Sequence, residues 1–174
     1  MTRQSILVCA AAFALTGFVS LAAAADTREA QNYRQTIEGA WGAMVTLRLP
    51  AADCTTSPPV PFGPNPFPSF NTFHEGGTVS EWGSRAPPAT RSSGHGVWEP
   101  TGPRQFAYHL KFHSFDANGL LAATVDIATD LALSDDGETF EGVSRFIRTD
   151  LSGNALNFCA TMSGSRMTLQ VSGA

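Results

Sequence analysis

From Ile37 to Leu49 the chain alternates between two kinds of residue. Odd positions read Ile37, Gly39, Trp41, Ala43, Val45, Leu47 and Leu49, and even positions read Glu38, Ala40, Gly42, Met44, Thr46 and Arg48. A period of two sustained over this length marks a long strand with one buried face. The alternation returns in Gln105 to Phe115, whose even face is Phe106, Tyr108, Leu110 and Phe112, and in Leu121 to Leu133, where Leu121, Ala123, Val125, Ile127 and Leu131 share a side. Leu156, Phe158, Ala160 and Met162 repeat it once more.

Shorter strands complete the set. Ser69 to His74 and Thr78 to Trp82 flank Glu75-Gly76-Gly77, a tight hairpin. A short strand surrounds Gly96-Val97-Trp98-Glu99, and another runs from about Glu138 to Thr149. Turn residues separate the later strands: Pro100 to Pro103, Asp116 to Gly119, Ser134 to Gly137 and Asp150 to Asn154. Helical periodicity is missing beyond the N-terminus. The pattern predicts an all-β fold, an eight-stranded up-and-down antiparallel barrel, the strand count that closes around packed side chains or one small ligand.

Two stretches break the alternation. Residues 50–68 carry seven prolines, with Val60, Phe62 and Phe67 among them, and residues 83–93 carry Pro87-Pro88. Proline cannot donate to a ladder, so both stretches are loops. In an up-and-down barrel they open at the same end, while three tight turns share the other, giving a lidded mouth and a shut floor. Closure sets the first strand beside the last. The residue numbers of Trp41 and Arg166 sum to nearly the same value as those of Cys54 and Cys159, as antiparallel partners require.

Composition changes the picture in three ways. Arg3, the uncharged apolar run Ile6 to Ala22 and Ala23-Ala24-Ala25 read as a signal peptide over residues 1–25. An uncleaved membrane anchor is the alternative; the alanine-rich end and polar start at Asp26 favour cleavage. Residues 26–35 then form an N-terminal arm and 36–174 the barrel domain. The mature chain is expected to be periplasmic or secreted, without membrane contact after cleavage. Its cations are dispersed and its formal charge is −5, one below that of the whole chain because Arg3 leaves with the leader. Such a surface excludes nucleic acid as a partner. Export makes a Cys54–Cys159 disulfide the default, two separate buried thiols being the alternative.

Candidate chemistry is sparse. His113 lies four strand steps beyond His109, about 13 Å away, too far for one metal ion. The Asp/Asn-Gly segments suit hairpins better than calcium. No metal and no cofactor are expected. His95, between Gly94 and Gly96 and next to the second loop, is the one histidine placed near the mouth. The apolar interior is predicted to include Val45, Leu47, Leu110, Ile127 and Phe158, with Trp82 as a further candidate. A small hydrophobic ligand would there meet Tyr108 as polar anchor and Trp98, Phe106, Phe112 and Val125 as walls. A solid core is the plain alternative. A cyclase or isomerase using His95 or Tyr108 as proton donor is another, and would be favoured by an inward carboxylate; Glu81 and Glu99 are ambiguous in parity. A third is a non-catalytic module that docks to another protein through residues 50–68.

Gly39-Ala40-Trp41 opening the first strand, with Arg166 just after the last, resembles the calycin superfamily, lipocalins in particular. The resemblance implies that Arg166 lies across the Trp41 ring at the closed end, and that the first long loop covers a ligand mouth. Thr129-Asp130-Leu131 stands near the place where lipocalins carry Thr-Asp-Tyr, and Ser163 to Ala174 leaves no room for their final helix. A secreted bacterial lipocalin-like protein or an allene-oxide-cyclase-type barrel accommodates both departures, and the latter family includes cyclases.

Overall fold

A computed structural model describes residues 36–169. The expected leader, residues 1–25, and the expected arm, 26–35, lie outside the described residues. Eight strands close into one antiparallel barrel in sequence order: β1 (Gly39–Arg48), β2 (Phe67–His74), β3 (Thr78–Gly83), β4 (Gly94–Gly102), β5 (Gln105–Phe115), β6 (Leu121–Leu133), β7 (Thr139–Asp150) and β8 (Ala155–Arg166). A single 3-10 turn, Pro88–Thr90, lies in the β3–β4 loop.

The differences from the sequence pattern have local causes. β8 runs on to Arg166 although Ser163-Gly164-Ser165 carries no apolar signal, because it is paired on both sides: Gly164 lies opposite Ala43 of β1 and Phe140 of β7. A Cβ on Gly164 would sit 2.4 Å from the Phe140 ring, so the aromatic ring occupies the space a side chain would need. β4 is longer than expected because Gly96 lets it press against β5; a Cβ there would lie 1.9 Å from the His109 carbonyl oxygen. β2 begins early, at Phe67-Pro68. Pro68 pairs opposite Met44 and uses its carbonyl to accept the Ser84 N–H at 2.9 Å.

Closure rests on the β1–β8 ladder, in which Trp41 faces Arg166. The guanidinium carbon of Arg166 lies 4.3 Å from the Trp41 ring centroid, and its N–H groups donate to the carbonyls of Thr36, Glu38 and Gly137. Trp41 donates its indole N–H to the Ile37 carbonyl at 2.8 Å. Around this pair lie Phe140, 5.1 Å from Trp41 between ring centroids, and an edge-to-face run of Phe73, Trp98 and Phe106. The floor is therefore a packed aromatic layer with its one cation held by a ring face and three carbonyls.

At the other end the β1–β2 loop is tied down rather than loose. The Cys54 and Cys159 sulfurs are at bonding distance, 2.05 Å, and Arg145 of β7 donates to the Ala51 and Ala52 carbonyls. Asn65 acts as a substitute strand partner: its Oδ1 accepts the Leu47 N–H at 2.9 Å and its Nδ2 donates to the Leu47 carbonyl at 3.0 Å. Val60, though surrounded by prolines, is 4 % exposed and belongs to the core.

Candidate functional site

Above the aromatic floor the barrel is not filled. A cavity of about 570 Å³ opens at the mouth, walled by the inner faces of β1, β5, β6, β7 and β8 and covered by both long loops. Val45 and Leu47, Phe112, Val125 and Ile127, Phe146, Phe158 and Met162 supply its apolar wall; Phe62 and Phe67 of the first loop and β2, and Arg85 and Ala86 of the second loop, supply its rim. Parity explains the wall: each residue is two or four positions from the next on its own strand, so all project to one side.

The two loops are joined across the mouth by Arg85. It donates to the carbonyls of Phe62 and Pro64, and its guanidinium lies 5.5 and 5.7 Å from the Phe62 and Phe67 ring centroids. Burial against these groups lowers its pKa from the ordinary arginine value.

A buried ion pair forms part of the wall. Glu81 of β3 points inward, and its Oε2 receives Arg91 Nη2 at 2.6 Å; the two side chains are only 9 and 6 % exposed. Oε1 of Glu81 accepts the Ser69 hydroxyl at 3.1 Å. Arg91 also donates to the Gly83 carbonyl at 3.0 Å and the Ser92 carbonyl at 3.1 Å, and lies flat on Phe112, 4.0 Å from its centroid. A guanidinium satisfied by carboxylate, carbonyls and a ring face is the arrangement that makes burial of this charge tolerable.

Of the residues singled out in the sequence, Tyr108, Phe112 and Val125 line the cavity together. Trp98 and Phe106 do not; they pack in the floor, where Trp98 donates its indole N–H to the His74 carbonyl at 3.0 Å. Both were expected as walls for a ligand, and the structure sets both outside the cavity lining. His95, the alternative to Tyr108 as proton donor in the enzymatic reading, is not in the cavity lining either. It is exposed on the outer face, because the inward positions of β4 are Gly94, Gly96 and Trp98. Trp82 is outward as well, since Glu81 and Gly83 take the inner face of β3.

Glu81, Arg91 and Ser69 were not recognisable as site residues. In a six-residue strand the alternation was too short to fix parity, and Arg91 reaches inward from an irregular loop. The signal that could have found them is Gly83, whose missing side chain leaves room for both; a Cβ there would lie 2.9 Å from the Arg91 guanidinium and the Glu81 carboxylate.

Burial pushes the Tyr108 phenol well above its ordinary pKa. The Thr129 and Ser144 hydroxyls oppose the rise, and the Glu81 charge adds to it. The hydroxyl therefore stays protonated and acts as a neutral hydrogen-bonding group. Among the described residues, no cluster of three or more His, Cys, Asp or Glu side chains is placed to hold a metal ion. The chain matches no protein-family model and no curated protein sequence.

Proposed function

We propose that this protein is an exported barrel that binds one small hydrophobic molecule in its interior, in the manner of a secreted lipocalin-like or other calycin-type barrel. The observation that carries the reading is the cavity itself. Its volume of about 570 Å³ falls within the ~300–1,000 Å³ usual for small-molecule sites, and its wall is aromatic and aliphatic with few polar groups. The loop-closing Cys54–Cys159 pair supports an oxidising destination. The Trp41–Arg166 floor and the two tethered loops support the calycin-type comparison.

Filling the cavity tests the reading. Val125 is 7 % exposed and lines the wall, so Val125→Trp projects a larger ring into the space. Titration with the neutral dye Nile red should show saturable fluorescence enhancement for the parent and little or none for the variant. Equal enhancement in both would place the dye on the surface and overturn the reading.

A second reading, a cyclase or isomerase acting on an apolar substrate, is favoured by one observation: Glu81 is an inward carboxylate on the cavity wall. It would use Tyr108 and Glu81 rather than His95.

A further inference from the structure

Between the cavity and the floor, polar side chains are set in an ordered way. Asn71, Glu81, Tyr108 and Thr129 each stand two residues mouthward of a floor or core side chain on the same strand: Phe73, Val79, Phe106 and Leu131. A belt of polar side chains thus separates the aromatic floor from the apolar upper wall.

Most of the belt is satisfied internally. Glu81 and Arg91 neutralise one another and spend their remaining contacts on Ser69, Gly83 and Ser92. Thr129 and Ser144 bond each other at 2.7 Å. Two groups stand apart, one weakly held and one without a partner. The Tyr108 O–H has a thioether as its acceptor, Met162 Sδ at 3.7 Å, and a thioether is a weak one. Asn71 is 1 % exposed, cross-strand from Glu81, and neither its amide oxygen nor its nitrogen has a partner. Buried donors left in this condition are the places where a polar atom from elsewhere gains most.

Building on the ligand-binding reading above, we infer that the cavity selects molecules bearing a neutral carbonyl group, whose oxygen accepts a hydrogen bond from Tyr108 at the inner end while the apolar body fills the space toward the mouth. A ketone or enone oxygen is a stronger acceptor for Tyr108 than the Met162 thioether. A hydrocarbon of the same shape leaves that donor with the thioether alone. A carboxylate brings a charge to an inner end whose one cation is already paired. Arg148, at the rim with Arg85, is a cation that would hold an acid the other way round, with its head at the mouth.

Three naphthalene probes of nearly equal size separate these cases by calorimetry: acetylnaphthalene, isopropylnaphthalene and naphthoate, each titrated into the parent, Tyr108→Phe and Arg148→Met. Acetylnaphthalene should lose about tenfold in affinity on Tyr108→Phe, the scale of one hydrogen bond to a buried donor, while isopropylnaphthalene is unchanged. In the parent, the infrared carbonyl stretch of bound acetylnaphthalene should move to lower frequency than in hydrocarbon solvent, a readout that needs no variant. An equal response of ketone and hydrocarbon to Tyr108→Phe, or an unshifted carbonyl band, would overturn the inference while leaving ligand binding intact. Naphthoate binding tightest, and weakening on Arg148→Met, would overturn it in favour of a mouth-bound acid. Failure of all three probes to bind the parent would remove the ligand-binding reading itself.

Discussion

Replacing Arg91 with methionine isolates the buried pair, because methionine keeps an unbranched apolar stem and deletes the guanidinium. The deletion removes the 2.6 Å contact to Glu81, two carbonyl hydrogen bonds and the stacking at 4.0 Å. What remains is a carboxylate 9 % exposed whose one side-chain partner is the Ser69 hydroxyl. Breaking a buried pair from one side costs about 3–5 kcal/mol, most of it the stranded charge. Glu81→Gln should cost less, roughly 1–3 kcal/mol, because Arg91 keeps its carbonyls and its ring and the amide oxygen still accepts. The double variant strands no charge, so its loss should fall short of the sum of the two single losses by about 2 kcal/mol. Urea unfolding followed by tryptophan fluorescence measures all four proteins, provided the slope is common to them. Additive losses, or an Arg91→Met loss below about 1 kcal/mol, would show that the pair behaves as an exposed one, and the reasoning about the cavity wall would fail with it.

Gly96→Ala should destabilise by about 1–3 kcal/mol or more, since its Cβ would press into the β5 backbone. Gly42→Ala, where a Cβ meets nothing within 4 Å, should be near neutral in the same melt. Arg166→Met should cost roughly 3 kcal/mol, leaving three carbonyls and the Trp41 face without their cation, with a changed near-UV circular dichroism band from Trp41. Replacing Cys54 and Cys159 together by serine opens a loop spanning 105 residues and should lower stability by about 4–5 kcal/mol in the chain-entropy model. Thiol labelling of the unfolded parent should find no reactive Cys54 or Cys159.

Much of the barrel was legible because its long strands alternate without interruption. β5 and β6 carry enough apolar positions to fix both parity and extent, and the tight Gly-containing turns fix the order of pairing. Trp41 and Arg166 could be paired from their numbers because an antiparallel ladder conserves the sum. Legibility fails where side chains stop reporting the pleat. Ser163 to Ser165 have no apolar member, yet they are held by neighbours on both sides. β4 displays glycine on its inner face, so the conspicuous His95 is the residue facing out. The cavity's polar wall was hidden for a related reason: Arg91 comes from a loop, where no period predicts direction, and its carboxylate partner sits in a strand too short to have a readable phase. The resemblance to calycins pointed to the floor and the lids, but the ion pair belongs to this chain's own interior and no fixed motif marks it.

Native mass spectrometry of the protein purified from its native cells tests the central claim most directly, paired with the same measurement on Val125→Trp. A single defined adduct of a few hundred daltons on the parent, released by organic solvent and missing from the variant, is the predicted result. A bare parent mass that stays bare after exposure to neutral terpenoids, ketones and aromatic probes would contradict the account, and the space above the floor would have to be regarded as part of a folded core without a ligand.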